Sequence, residues 1–316
     1  MSEQSSVAFI FPGQGAQSVG MGKDLYDSFP SAKIVFDKAD DVLGFPLSRM
    51  CFEGPEEELN LTINTQPAML TVSYACIEAI KDTMVSNFPS PAFVAGHSLG
   101  EYTTLPVSGV TDFDTAVYLA RERGRLMHEA GTNNPGGMMA ILGLEEELVT
   151  EVCNETDTVI ANYNCPGQIV ISGAIANLPA AMELAHEKGA SRTVTLQVSG
   201  AFHSPLMQPA KEGLTEILDK IEFKDPSVPI IANATAKPLI TSKQIKEELV
   251  EQMCSGVRWQ QSVQYMIDNG ISAFIEIGYG KVLAGLIRRI NRESAIHNIG
   301  NAEDIANLSP ESMDSD

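Results

Sequence analysis

Basic residues are scarce in this chain of 316 residues: Lys and Arg total 21 against 41 Asp and Glu, a formal charge of -20. A surface of that sign repels polyphosphates and anionic headgroups, so neither nucleic acid nor a membrane is expected as a partner. Cysteines are few as well. Cys51, Cys76, Cys153, Cys165 and Cys254 are odd in number and form no C-x-x-C pair, which argues against a zinc site or a disulfide framework and for a reducing, cytoplasmic setting. Long apolar runs are missing: VAFIF near the N-terminus is far too short to cross a bilayer, and no basic segment with a signal-length apolar stretch accompanies it. What is present is 44% hydrophobic residues, enough for a full core and an inserted domain.

Val7–Phe11 is a short β-branched and aromatic run ending in PGQG, after which polar and apolar residues mix; the spacing predicts strand, tight turn, helix. Residues 66–84 are helical in pattern, and AFVAG predicts a second buried strand. Two strand-to-helix units of this kind predict an α/β core with parallel strands. The middle of the chain has its own order: strand at GMMAILG, helix over 145–155, strands at TVIANYN and QIVISG, helix over 176–188, strand at SRTVTLQVS. That β-α-β-β-α-β run is the ferredoxin-like sequence of elements. Leu144, Leu148 and Val152 align on its first helix and Leu178, Met182 and Ala185 on its second, each a stripe able to cover one face of a sheet. The expected division is a core over 1–130, an inserted ferredoxin-like subdomain over 131–200, a second part of the core over 201–306 and an acidic, disordered tail over 307–316. The second part of the core holds VPIIANAT, a helix over 245–253, AFIEIG and a closing helix from Val282. A cleft is expected between core and insert.

The stretch GHSLG, 96–100, fits the G-x-S-x-G nucleophile elbow, whose glycines allow a turn sharp enough to lift the serine above the strand ends. Ser98 can equally be a plain cap on the helix that follows. A serine nucleophile needs a base, and there are only five histidines. His97 adjoins the serine, so its ring leaves the elbow in another direction, which suits a supporting role. His128 and His186 fall at helix ends, His297 lies late in the chain, and His203 in GAFHSPLM sits on a Gly- and Pro-flanked loop just after the insert. In DTAVYLARERGRLMHEA, Arg123 shares helical spacing with Leu119 and Leu126, whereas Arg121 and Arg125 lie on a polar side. A guanidinium facing apolar surroundings needs an anion, either an internal carboxylate or the carboxylate of a substrate. FPGQGAQ is neither a phosphate loop nor a dinucleotide fingerprint, since the Walker spacing fails and Ser18 stands where the third glycine would be. It is a plain β-to-α turn, or one whose Gln14 amide converges with that of Leu99 on a developing oxyanion.

Taken together, FPGQGAQ, GHSLGEY, RERG, NYNCPGQIVISG, GAFHSPLM and EIGYGKVLAGLIRRI resemble the malonyl-CoA:acyl carrier protein transacylase family, in order over 7–306. The resemblance implies an α/β-hydrolase-like core with a ferredoxin-like insert. It also implies that Ser98 is acylated, His203 is general base and later acid, and Arg123 holds the malonyl carboxylate. Gln14 and Leu99 would supply oxyanion amides, the backbone carbonyl of Gln252 would orient the histidine with no carboxylate completing a triad, and Asn162 would line the cleft. Phe202 resembles the form that disfavours bulkier α-substituted acyl units. Malonyl-CoA and acyl carrier protein are the implied partners, with a coenzyme A thioester as substrate, no tightly bound cofactor, no metal and a monomer. Pro106 departs from the family pattern and predicts a kink in the elbow helix. The acid-free stretch 281–292 carries Lys281, Arg288, Arg289 and Arg292, a docking patch for an acidic carrier or a solvated helix face. The competing readings are a stand-alone acyltransferase serving a polyketide synthase, an acyl-thioester serine hydrolase using His297, and a noncatalytic carrier-binding homologue.

Overall fold

The computed structural model describes residues 6–84 and 88–308. The first strand, β1 (Val7–Phe11), is followed by four short or medium helices, α1 (Lys23–Ser28), α2 (Pro30–Leu43), α3 (Leu47–Glu53) and α4 (Glu56–Leu59), and by the long helix α5 (Thr62–Thr83). Then come β2 (Phe93–Gly96), α6 (Gly100–Val107) and α7 (Phe113–Asn133). The central run is β3 (Gly136–Leu142), α8 (Glu146–Thr156), β4 (Thr158–Cys165), β5 (Gln168–Ala174), α9 (Leu178–Glu187) and β6 (Arg192–Thr195). The chain closes with α10 (Gln208–Leu218), β7 (Ile230–Ile231), β8 (Pro238–Leu239), α11 (Ser242–Glu251), α12 (Trp259–Asp268), β9 (Ala273–Ile277), α13 (Val282–Ile290), β10 (Ala295–Ile299) and α14 (Ala302–Ala306).

Two sheets result. The larger has the order β10-β9-β1-β2-β7-β8, parallel throughout except for the β7–β8 pair. Its strands are apolar on both faces because both are covered: Phe9, Phe11, Val94 and Ile275 pack into one cluster with α5, and Ala8, Ile10, Ala95 and Phe274 into another with α12 and α13. The smaller sheet is antiparallel, in the order β4-β5-β3-β6. Alternation along β3 divides its two faces. Met139 and Ile141 join a cluster with Val149, Val152, Ala181 and Ala185 of α8 and α9, whereas Met138 and Ala140 face the main core.

Several expectations are corrected locally. No helix follows PGQG; residues 12–22 form a loop in which Gly15, Gly20 and Gly22 take positive φ, and α1 starts only at Lys23. The helix expected over 66–84 begins at Thr62, with Pro67 inside it. The missing proline N–H frees the Ile63 carbonyl, and Arg121 of α7 donates to it at 2.9 Å, so a tertiary contact offsets the local defect. VPIIANAT supplies only the two-residue strand β7 before the chain turns away at Ala232. Helix α7 continues to Asn133, past residue 130. Pro106 lies next to the last residue of α6, where the helix ends. Leu308 still packs against the core, and the rest of the tail, 309–316, lies outside the described residues.

Candidate active site

Strand β2 delivers the chain to Ser98 at the turn into α6. Ser98 adopts φ 52°, a left-handed conformation that costs energy for a residue with a Cβ and persists only where the surroundings fix it. They do so sterically and by hydrogen bonding. A Cβ on Gly96 would lie 1.9 Å from the Gly100 carbonyl carbon, and one on Gly100 would lie 2.1 Å from the Phe11 oxygen, so neither position accepts a side chain. Asn233, just after β7, accepts from the Ser98 amide through Oδ1 at 2.7 Å and donates from Nδ2 to the Gly96 carbonyl at 2.7 Å. Among the described residues, no protein acceptor meets the amides of Gln14 and Leu99.

His203 enters from the loop after β6, itself at φ 56° and buried. Its Nδ1 lies 2.8 Å from the Gln252 carbonyl, which accepts only from an N–H and so leaves Nε2 unprotonated. That Nε2 is 2.8 Å from Ser98 Oγ and accepts its proton. Burial, then the nearby Arg123 charge, push the His203 pKa down to about 3. The imidazole is therefore neutral, in the tautomer a general base requires.

Arg123 on α7 is 1% exposed and lies against Ser98. Its Nη1 donates to Gln66 Oε1 at 2.7 Å, and its Nη2 to Gln252 Oε1 at 2.8 Å and Ser98 Oγ at 3.2 Å. The guanidinium also sits over the Tyr102 ring, while Nε has no partner among the described residues. Every hydrogen-bond acceptor of this buried cation is neutral. Of the two anions open to it on sequence grounds, the internal carboxylate is Glu101, which acts on the guanidinium without direct contact, through the Gln252 amide. An incoming carboxylate can reach the fork by replacing Ser98 Oγ or the Gln252 amide as acceptor.

A cleft of 510 Å³ opens over Ser98 and His203, between the elbow and the small sheet, while Arg123 is not among its lining residues and lies behind Ser98. Gln14, His97 and Asn162 line it, and its apolar wall includes Phe202, Met138 and Val170. His97 is tied away from the serine: its Nε2 bonds Asn164 Oδ1 at 2.9 Å, and its ring packs on Trp259. Asn164 also lines the cleft and, like Gln66, Glu101 and Asn233, was missed in the sequence. Glu101 and Asn164 lie inside the motifs GHSLGEY and NYNCPGQIVISG, which carried the only local signal for them, and Gln66 and Asn233 had none. His297 lies on the edge strand β10, and His186 is exposed and bonded to Thr193, so neither joins the site. Lys281, Arg288, Arg289 and Arg292 are all exposed at or beyond the ends of α13, whose Val282, Leu283 and Leu286 line the cleft mouth. Among the described residues, no cluster of His, Cys, Asp and Glu could hold a metal, and no helix is long and apolar enough to cross a membrane.

An elbow serine bonded to a neutral imidazole is the arrangement of an acyl-transferring serine enzyme, and residues 8–314 match the family model described as acyl transferase domain. The chain belongs to that family. It is 48% identical over 293 residues to the malonyl CoA-acyl carrier protein transacylase of Bacillus subtilis (strain 168), covering 91% of each chain. It also superposes on the crystal structure of an acyl-carrier-protein-S-malonyltransferase from Bartonella henselae with TM-score 0.91 and 42% identity, over 95% of this chain and 97% of that one. A malonyl-transacylase solved in complex with a type II PKS acyl-carrier protein matches with TM-score 0.91 and 37% identity, over 96% and 98% of the two chains. The mixed α/β architecture with its parallel sheet is that of these malonyltransferases.

Proposed function

We propose that this acyltransferase moves the malonyl group from malonyl-CoA to the phosphopantetheine thiol of acyl carrier protein, supplying extender units for fatty acid synthesis. The contact that carries the reading is Ser98 Oγ at 2.8 Å from an unprotonated His203 Nε2 and at 3.2 Å from the Arg123 fork. Ser98 attacks the thioester carbonyl as His203 takes its proton. The Gln14 and Leu99 amides receive the oxyanion, a contribution of about 3 kcal/mol per good donor. Collapse expels coenzyme A, which recovers the proton from His203. The carrier thiol then attacks the malonyl ester by the same steps in reverse, so the reaction is ping-pong. Gln252 holds His203 through its carbonyl, Arg123 takes the malonyl carboxylate, and Phe202 limits room beside the α-carbon, while Asn162 and His97 complete the cleft.

The small sheet with α8 and α9, from β3 to β6, acts as a subdomain that closes one side of this cleft, and Lys281, Arg288, Arg289 and Arg292 form the carrier-docking face. The enzyme works as a cytoplasmic monomer without a tightly bound cofactor. Mass spectrometry after brief mixing with malonyl-CoA tests the core of the proposal. A malonyl adduct on Ser98, discharged faster by carrier protein than by water, is expected. An adduct that water discharges equally fast would mark a hydrolase instead.

A further inference from the structure

A closed polar cluster lies directly behind the elbow. Glu101 on α6 is 1% exposed, Asn233 2% and Gln252 0%. Glu101 Oε1 accepts from the Asn233 backbone amide at 3.0 Å, and Glu101 Oε2 accepts from Gln252 Nε2. The other Gln252 Nε2 proton goes to the Ser98 carbonyl at 3.0 Å, and Gln252 Oε1 receives Arg123. Only one orientation of the Gln252 amide satisfies these contacts. Turned over, its nitrogen would face the guanidinium, donor against donor, and its oxygen would face a carboxylate and a carbonyl. The carboxylate that selects the correct orientation is that of Glu101, which accepts on both oxygens as no amide side chain can.

We propose that Glu101 is a positioning residue for malonyl selectivity: by fixing the Gln252 amide, it presents an oxygen to Arg123 and so holds the fork aimed at the acyl end of the cleft. The inference rests on the malonyl-transfer reading above. Glu101 touches neither thioester nor serine hydroxyl, so its influence on the acyl group passes through Gln252 and Arg123. The same carboxylate fixes the Asn233 backbone, whose side chain braces the elbow, and that second contact needs only one oxygen acceptor.

The test is Glu101→Gln, which preserves shape and the acceptor for Asn233 but sets an NH2 against Gln252 Nε2. Rates of Ser98 acylation by malonyl-CoA and acetyl-CoA are compared with the wild-type enzyme, together with the thermal midpoint. The expected result is a fall of at least about tenfold in kcat/KM for malonyl-CoA with less than about a threefold fall for acetyl-CoA, since acetyl has no carboxylate for the fork to hold. An equal fall for both substrates, or none for either, overturns the proposal. The double variant Glu101→Gln with Gln252→Glu lets carboxylate and amide trade places, again matching donor to acceptor between the two positions, but it rests an anion on Arg123. Its new carboxylate also faces the Ser98 carbonyl, which loses the Gln252 Nε2 donor, so neither thermal midpoint nor malonyl preference should recover; recovery of the preference would show that Glu101 is structural only. Absence of any malonyl adduct in the wild-type enzyme would instead sink the function reading itself, a separate outcome.

Discussion

Arg123 is buried with neutral hydrogen-bond acceptors and has the Glu101 carboxylate only at one remove, through Gln252, so a substrate carboxylate on the fork would complete its charge pairing during turnover. Arg123→Ala is therefore expected to lower malonyl transfer by about 3 kcal/mol, on the order of a hundredfold, while acetyl transfer falls much less. Steady-state kinetics with both thioesters measure the difference, and equal losses would contradict the role. His203 yields a prediction about pH. Its folded pKa, about 3, lies below the ordinary 6.5, so the unfolded state binds the extra proton between these values. The free enzyme should keep its base neutral, and the acid limb of kcat/KM for malonyl-CoA should lie well below pH 6.5. The same group contributes stability that is fully present above pH 6.5 and is lost as the pH falls toward 3. A limb at an ordinary histidine pKa, assigned by comparison with His203→Ala, would refute this placement. Ser98, His203 and Arg123 were legible in the sequence because each sits in a short pattern or breaks a helical stripe. Gln66 and Asn233 were not: Gln66 meets Arg123 across 57 residues and Asn233 meets Gly96 across 137, and nothing local marks such partners.

Among the elements, the strand β2, its turn and the helix α6 show how closely the chain must approach itself to strain one serine. The second glycine of the elbow lies against the end of β1, so Gly100→Ala forces a Cβ to within 2.1 Å of the Phe11 oxygen, a contact that only a shift of backbone relieves. A loss of at least about 2 kcal/mol in stability is expected, with acylation of Ser98 falling further because the turn moves. Denaturant unfolding and adduct formation together check it; an unchanged midpoint would mean that β1 and α6 can separate at little cost. The buried strands of the large sheet were readable as apolar runs, and the six central elements as alternation and helical stripes. Strand β10 was not, because AIHNI at the sheet edge leaves four of its five residues only half-buried and mixes polar with apolar types. The loop of 12–22 also defeats a periodic reading, since its shape is set by glycines and by contacts with distant residues, such as Ser18 with Tyr279.

At the scale of the whole molecule, the charge of -20 opposes approach by an acidic carrier, so association depends on where the few cations lie. The proposed docking face on helix α13 would resolve the conflict by the helix's two sides. Leu283 and Leu286 line the cleft mouth, while Arg288 and Arg289 in the last turn are exposed beside it, where they also complement the helix C-terminus. A carrier guided to this helix would present its pantetheine arm to the cavity that holds Ser98. Arg288→Glu with Arg289→Glu is expected to raise the KM for carrier protein by about tenfold, with the KM for malonyl-CoA changed less than about twofold. Added salt should raise the wild-type KM toward that of the variant, because exposed charges are screened within about 8 Å at physiological ionic strength. Coenzyme A is itself anionic, which makes the donor a control. A parallel rise in the malonyl-CoA KM would assign the arginines to coenzyme A phosphates, and no change in either would move the carrier to another face.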